Sequence, residues 1–202
     1  SLDRKIHLLL DAGGAHLKLK NWDRAEAHFR ALLALSRNFS DRTSEAEAWK
    51  RIGRIYAHRK AFDQALTFYR RSLRLLKKEQ DALGECDVLI KMGSIFLEQG
   101  RWQSLQKVYN RAFRIAQRFQ HDEHIAAISM NLAITYDIQG NTAKALEAFH
   151  RCLHIYRRQK CWEKVTAALL NIGKCLGDSD DYVQAQKYYD ACLKLARKRF
   201  DI

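Results

Sequence analysis

The amino-acid sequence repeats itself with a period of 40 residues. Steps of 40 from the glycine in "RIGRIY" reach small residues in every copy: Gly13, Gly53, Gly93, Ala133 and Gly173. The same steps along a second position reach aromatic residues: Phe29, Tyr69, Tyr109, Phe149 and Tyr189. Five copies fill the chain without an insertion or a deletion. A fixed period of roughly 20–50 residues indicates that each copy is one supersecondary unit stacked on its neighbours.

Each copy is predicted to contain two helices. Apolar residues recur at spacings of three and four through both halves of the repeat, as in amphipathic helices. In the second copy this pattern predicts helix A from about Ser44 to Arg59 and helix B from about Phe62 to Lys78. The absence of proline from all 202 residues favours continuous helices with short turns. Short turns make consecutive helices antiparallel neighbours.

The repeated glycine predicts a close contact between helices. Glycine inside a helix costs about 1 kcal/mol relative to alanine, so its recurrence needs a packing reason. One helical pair cannot bury its apolar face alone, whereas stacked pairs share a continuous core. We therefore predict an all-α fold, a right-handed superhelical solenoid of five helix-turn-helix repeats. Helix A would line its concave wall and helix B its convex wall.

This set of residues resembles the tetratricopeptide repeat (TPR). The eighth position of the repeat is small, the eleventh is aromatic in Tyr56, Phe96 and Tyr136, and the twentieth is mostly alanine. The 40-residue period is similar to that of Leu-Gly-Asn-repeat adaptors, kinesin light chains and bacterial peptide-pheromone receptors. The resemblance implies a single TPR domain over residues 1–202, as part of a longer protein. Its repeats would span about 1–40, 41–80, 81–120, 121–160 and 161–202.

The net charge indicates the kind of binding partner, and the cysteine content indicates the cellular compartment. The formal net charge of +13 predicts attraction to an acidic peptide, protein surface, nucleic acid or anionic lipid. Five cysteines without CxxC pairs fit the reducing cytoplasm better than a disulfide scaffold. No apolar run approaches the ~18 residues of a membrane-spanning helix.

The sequence gives no indication of catalysis. HExxH, P-loop and GxSxG motifs are all absent. His150 and His154 flank Cys152 on one predicted helix, and we favour packed or solvated side chains there over a metal site. We predict that the chain is not an enzyme and has no catalytic residues, metal or cofactor.

The inner face of the A helices is the predicted peptide-binding groove. Its first half is cationic, and its second half mixes amide and apolar side chains. Cations form charge-assisted hydrogen bonds with carboxylates or phosphate. Amides donate and accept, so they can hold an extended backbone of any sequence. The candidate groove residues are Lys50, Arg51, Arg54, Lys91, Met130, Asn131, Ile134, Leu170, Asn171 and Lys174.

The outer face of the B helices carries a second periodic pattern. Basic residues recur there every 40 residues and would form a basic convex ribbon along the stacked repeats. A solvated face that happens to be basic is the simpler interpretation. The ribbon residues are Arg71, Arg74, Lys78, Arg111, Arg114, Arg118, Arg151, Arg158 and Lys198.

These observations favour a non-catalytic scaffold or adaptor that binds an acidic peptide segment of a partner protein in its concave groove. One alternative is polyanion binding, to RNA or anionic lipid, through the basic convex ribbon. The inner wall lacks the stacking groups that base-by-base RNA reading needs, so nucleic acid is the less favoured partner. Another alternative is a peptide-sensing regulatory module. At the C-terminal end, Leu193, Leu195 and Phe200 suggest an apolar surface for self-association or for contact with more protein.

Overall fold

The computed structural model describes the backbone of residues 2–200 and the side chains of residues 2–197. Over these residues the chain forms ten α-helices and no strand, which confirms the all-α fold class. The helices begin every 20 residues, and all but the last contain 17 residues. Their bounds are α1 Leu2–Lys18, α2 Trp22–Asn38, α3 Arg42–His58, α4 Phe62–Lys78, α5 Ala82–Glu98, α6 Trp102–Arg118, α7 Asp122–Ile138, α8 Thr142–Arg158, α9 Trp162–Asp178 and α10 Tyr182–Phe200.

The predicted helix bounds in the second copy are close to those observed. Helix α4 spans Phe62–Lys78 as predicted. Helix α3 begins at Arg42, two residues before the predicted start, because Asp41 caps it. The Asp41 carboxylate accepts a hydrogen bond from the Ser44 N–H at 3.0 Å, which satisfies one of the unpaired donors of the first turn.

The same tight turn joins helices throughout the described chain. After α1, the Asn21 N–H donates to the His16 carbonyl at 2.9 Å and the Lys20 N–H donates to the Leu17 carbonyl at 3.1 Å. These two bonds define a Schellman motif, whose central residue has a left-handed backbone. Positive φ angles accordingly occur at 20-residue intervals, at Lys20, Ser40, Lys60, Gln80, Gly100, Gln120, Gly140, Lys160 and Asp180.

The chain divides into two compact units. Unit 1 covers Ser1–Ile115 and unit 2 covers Ala116–Ile202. In unit 1, α3 contacts α2, α4 and α5, and the core includes Phe29, Leu32, Ile52 and Ile55. In unit 2, α9 contacts α7, α8 and α10 around Phe149, Cys152, Leu153 and Ile172. Each unit thus places successive A helices side by side.

A glycine on helix A receives an aromatic ring from the following helix B in four of the five copies. A methyl group on Gly53 would lie 2.8 Å from the Tyr69 ring, closer than side chains approach each other in proteins. The same contact joins Gly13 to Phe29, Gly93 to Tyr109 and Gly173 to Tyr189. The remaining copy has Ala133 at this position. We call the contact the glycine notch, and it explains why the repeat retains glycine inside a helix.

The glycine notch can be tested with two neighbouring residues of α1. We expect Gly13→Ala to lower the free energy of unfolding by about 1 kcal/mol, because overpacking against Phe29 exceeds the gain in helix propensity. The matched control is Gly14→Ala, where a methyl group has open space. That substitution should raise the free energy of unfolding by about 0.5–1 kcal/mol. Urea denaturation would measure both, and equal effects would contradict the notch.

Candidate functional site

In unit 1, a cavity of about 190 Å³ lies between α3 and α5. Its walls combine side chains from the inner faces of these two helices with one aromatic residue of α4. We call it the cationic cavity. The residues that line it are Lys50, Arg51, Arg54, Tyr69, Asp87 and Lys91. The structure therefore brings together the four cations that the sequence placed in the first half of the groove.

Two of these cations are neutralised within the protein. Lys50 Nζ lies 2.6 Å from a Glu47 carboxylate oxygen and 3.6 Å from an oxygen of Asp87. Arg51 Nε lies 2.6 Å from the other Glu47 oxygen. Burial alone would raise the pKa of Glu47, but Lys50 and Arg51 bring it below its ordinary value. Glu47 is therefore a carboxylate at neutral pH and holds both cations in place.

The other two cations, Arg54 and Lys91, are exposed in the cavity. Neither has a carboxylate oxygen within 4.0 Å among the side chains that the structure describes. Partial removal from water lowers the pKa of Lys91, and the positive charge of Arg54 lowers it further, whereas Asp87 raises it. The part of this lowering that comes from Arg54 and the other cations is electrostatic repulsion, which a bound anion would offset.

An adjoining cavity of about 330 Å³ opens beside the first one. It is also lined by Arg54, Tyr69 and Lys91, and it adds His58 of α3 and Glu98 of α5. The His58 ring stacks on Trp22 with 4.9 Å between the centroids. Burial lowers the pKa of His58, Arg54 and Lys91 lower it further, and Glu98 raises it. His58 is therefore mainly neutral at pH 7, so the net charge here is set by Arg54, Lys91 and Glu98.

Tyr69 lines the candidate site, although the sequence analysis identified it only as one of the repeated aromatic residues. Its ring fills the notch at Gly53, and it lines both cavities. Burial raises its pKa, so the hydroxyl stays protonated and can donate a hydrogen bond. The sequence does contain a signal for this role. Phe29 occupies the same repeat position and fills the notch at Gly13, which shows that the notch itself does not need a hydroxyl.

In unit 2, the predicted groove residues lie on α7 and α9. Met130, Asn131 and Ile134 are half-buried, whereas Leu170 is exposed. The Asn171 amide nitrogen lies 3.6 Å from the Met130 sulfur, which joins the two helices. This contact is weak, because a thioether is a poor acceptor, so the amide can exchange it for a better partner.

Lys174, the last predicted groove residue, differs from Arg54 and Lys91 of unit 1. Its ammonium lies 3.8 Å from an Asp137 oxygen and 3.5 Å from an Asp178 oxygen. The two carboxylates offset its charge, so Lys174 provides less attraction for an anion than the sequence suggested.

Several residues of the basic convex ribbon form ion pairs or cation–π contacts with other residues of the same chain. Arg71 lies over the Trp49 ring, with 4.8 Å from the guanidinium carbon to the centroid. Arg111 pairs with Glu85, and Arg158 pairs with Asp122. Arg151 lies 2.7 Å from Glu147 in the preceding turn. These contacts reduce the positive charge that the outer face offers to a polyanion.

The remaining ribbon residues differ among themselves. Arg74 and Lys78 of α4 are exposed and form no ion pair within the described chain. Arg114 donates to the Asn110 carbonyl at 3.4 Å, and Arg118 lies over the Phe119 ring at 5.9 Å. The side chain of Lys198 lies outside the described residues. Binding through the basic convex ribbon stays a prediction.

The remaining features concern metal binding, thiol reactivity and membrane insertion. Within the described chain, no three His, Cys, Asp or Glu side chains are grouped to hold a metal ion. Burial raises the pKa of Cys86, Cys152 and Cys175 to about 12, so these thiols are protonated and poor nucleophiles. No described helix is both long enough and apolar enough to cross a lipid bilayer.

The last helix exposes apolar surface. Tyr182, Val183 and Leu193 are 66%, 71% and 55% exposed, respectively, and Leu195 is half-buried. The predicted contribution of Phe200 concerns a side chain outside the described residues. Self-association through this end stays a prediction.

Sequence profiles of known families agree with the repeat pattern. A tetratricopeptide repeat profile matches residues 6–78 and 85–158, and a second one matches residues 166–199. The chain belongs to the tetratricopeptide repeat family. No curated protein sequence is significantly similar to this TPR chain.

Solved structures confirm the TPR fold. BtubC (BKLC) from P. vanneervenii is 15% identical with a TM-score of 0.82, and the match covers 98% of this chain and 92% of that one. The apo form of RapI is 16% identical with a TM-score of 0.81, covering 98% and 55%. A STAND signal-transduction ATPase with a tetratricopeptide repeat sensor from Pyrococcus horikoshii is 17% identical with a TM-score of 0.84, covering 100% and 31%. At these identities the likeness establishes the fold alone.

The pKa of His58 tests the electrostatics of the adjoining cavity. We expect an NMR titration to give a pKa below the ordinary value of about 6.5, because burial and Arg54 disfavour the imidazolium. Arg54→Met should raise this pKa by removing a positive charge. The control, Arg74→Met on the outer face of α4, should leave it unchanged. An unchanged pKa in Arg54→Met would show that the two groups do not interact.

Proposed function

We propose that this TPR chain is a non-catalytic scaffold or adaptor that binds an acidic peptide segment of a partner protein. One observation carries the proposal: Arg54 and Lys91 share a cavity and have no carboxylate partner in the described chain. Protein partners are typical of TPR proteins, and the cavity supports an acidic partner. The five free cysteines support a reducing compartment, the cytoplasm.

An acidic side chain would enter the cationic cavity between α3 and α5. Its carboxylate would accept charge-assisted hydrogen bonds from Arg54 and Lys91, each worth about 1.5–3 kcal/mol. Glu47 would keep Lys50 and Arg51 in position through its 2.6 Å contacts, so less side-chain entropy would be lost on binding.

In unit 2, the proposed contact is with the peptide backbone. Asn131 and Asn171 occupy the same repeat position on α7 and α9, and both are half-buried. Their amides would pair with the backbone N–H and C=O groups of an extended segment. The exposed side chain of Leu170 and the adaptable thioether of Met130 would contact apolar side chains of that segment.

Two other functions remain as alternatives. Polyanion binding by the basic convex ribbon is less well supported, since Arg111, Arg151 and Arg158 already pair with carboxylates. A peptide-sensing module uses the same inner surface, and the P. horikoshii ATPase is described as having a TPR sensor. A sensor would bind the peptide at this surface and then change its own state or that of a partner. The binding experiments below therefore test the step that both functions share.

Reversing the two surplus charges tests the proposal. The probe is a fluorescein-labelled nonapeptide pool with aspartate or glutamate at alternate positions, and fluorescence anisotropy measures its affinity. We expect Arg54→Glu combined with Lys91→Glu to weaken binding about 100-fold, through the loss of two charge-assisted contacts. The matched control, Arg74→Glu with Lys78→Glu, changes the net charge equally but should alter affinity by no more than about twofold.

The opposite ranking of these variants would overturn the proposal. If the control on α4 weakens binding and the cavity variant does not, the acidic pool binds the outer face. A steep decrease in affinity with salt concentration would then favour the polyanion alternative.

The amide contacts have their own test. Asn131→Ala with Asn171→Ala should weaken all bound peptides about tenfold, whatever their side chains, because two backbone hydrogen bonds of about 1 kcal/mol each are lost. The control is Asn38→Ala with Asn110→Ala, which removes two exposed amides from B helices. Anisotropy with several peptides of unrelated sequence provides the measurement. A loss confined to one peptide would contradict backbone recognition.

A further inference from the structure

We propose that the cationic cavity binds a phosphate monoester carried by a phosphorylated segment of the partner protein. This inference rests on the proposed function and specifies the acidic group that the cavity prefers. Three observations support it. They are the charge balance of the cationic cavity, its hydrogen-bond donors, and the position of the three residues that the cationic cavity shares with the adjoining cavity.

The charge balance favours a dianion. Within the cationic cavity, four cations, Lys50, Arg51, Arg54 and Lys91, face two carboxylates, Glu47 and Asp87, which leaves a surplus of +2 (4 − 2). Glu98 lines only the adjoining cavity, where it lowers the total for the two cavities to +1 (4 − 3). A carboxylate side chain would offset half of the surplus in the cationic cavity. A phosphate monoester carries about 1.5–2 negative charges at pH 7 and would offset nearly all of it.

The donors favour a group with more than two acceptor oxygens. Arg54 brings the N–H groups of a guanidinium, Lys91 brings an ammonium, and Tyr69 brings a protonated hydroxyl. A carboxylate has two oxygens for these three side chains, whereas a phosphate monoester has three terminal oxygens in a tetrahedral arrangement. The hydroxyl of Tyr69 is thereby assigned a function, which ring packing alone does not require.

The three donor residues also share one location. Arg54, Tyr69 and Lys91 are the residues common to the cationic cavity and the adjoining cavity. They come from α3, α4 and α5, respectively, so three packed helices hold them. The adjoining volumes of about 190 and 330 Å³ leave room for the phosphate and for the chain that carries it.

A protein segment fits this cavity better than a nucleic acid does. Nucleic acids bind through several phosphates and through aromatic side chains on which bases stack. The cationic cavity contains a single surplus pair of cations. The aromatic residue that both cavities share, Tyr69, is buried with its ring against Gly53. A single phosphorylated residue flanked by polypeptide matches this arrangement.

Three peptide pools test the inference. The pools are fluorescein-labelled nonapeptides that are identical except for a central phosphoserine, glutamate or serine. By anisotropy at pH 7.5 or so, we expect wild-type protein to bind the phosphoserine pool about tenfold more tightly than the glutamate pool. Arg54→Gln with Lys91→Gln should abolish this preference. Tyr69→Phe, which keeps the ring in the notch, should reduce it, and the control Arg74→Gln with Lys78→Gln should preserve it.

The outcomes separate the two proposals. Equal binding of the phosphoserine and glutamate pools would overturn the phosphate inference but leave the acidic-peptide proposal in place. If no pool binds, both fail. A preference that survives in the Arg54→Gln, Lys91→Gln variant would place the phosphate elsewhere and overturn the inference. Inorganic phosphate should compete only at much higher concentration than the phosphopeptides, and equal potency would show that the cavity takes the free ion. Circular dichroism melting curves confirm that each variant is folded.

Discussion

Close approach between helix A and helix B at a glycine is the contact on which the rest of the structure depends. The absent side chain lets an aromatic ring lie against the backbone, as in the contact of Gly53 with Tyr69. The Tyr69 ring also lines the cationic cavity and the adjoining cavity, so the same contact contributes to helix packing and to the cavity walls. In the proposed function, Tyr69 would therefore serve packing through its ring and recognition through its hydroxyl.

The sequence predicted the helices and their pairing well, because the 40-residue period and the apolar spacing are strong signals. Among the turns of the described chain, two have a glycine at the left-handed position, Gly100 and Gly140, and the others have the same geometry without one. Residues such as Lys20 and Lys60 adopt positive φ because the helices on both sides are fixed by packing. Tertiary contacts therefore impose a backbone conformation that local sequence does not favour.

Charge pairing was less predictable than the fold. Arg71 and Arg111 occupy the same repeat position, yet Arg71 lies over a tryptophan and Arg111 pairs with Glu85. The difference arises from neighbours, since Glu45, the counterpart of Glu85, lies 2.9 Å from Arg37. Whether a basic residue forms an ion pair depends on the side chains of neighbouring copies as well as its own. The sequence of a single copy therefore does not predict the ion pair. For the same reason, the net charge of +13 did not reveal where positive charge remains unpaired.

The uniform turns have a consequence for how such a chain can change in length. Junctions from A to B and from B to A both use three residues with the same Schellman hydrogen bonds, and helices start every 20 residues. Residues 40 apart hold the same place in the repeat. Removing or duplicating a 40-residue stretch would therefore join two equivalent positions and leave the helix lengths and turns unchanged. Homologous recombination between repeats could therefore change the number of repeats without creating a new type of loop.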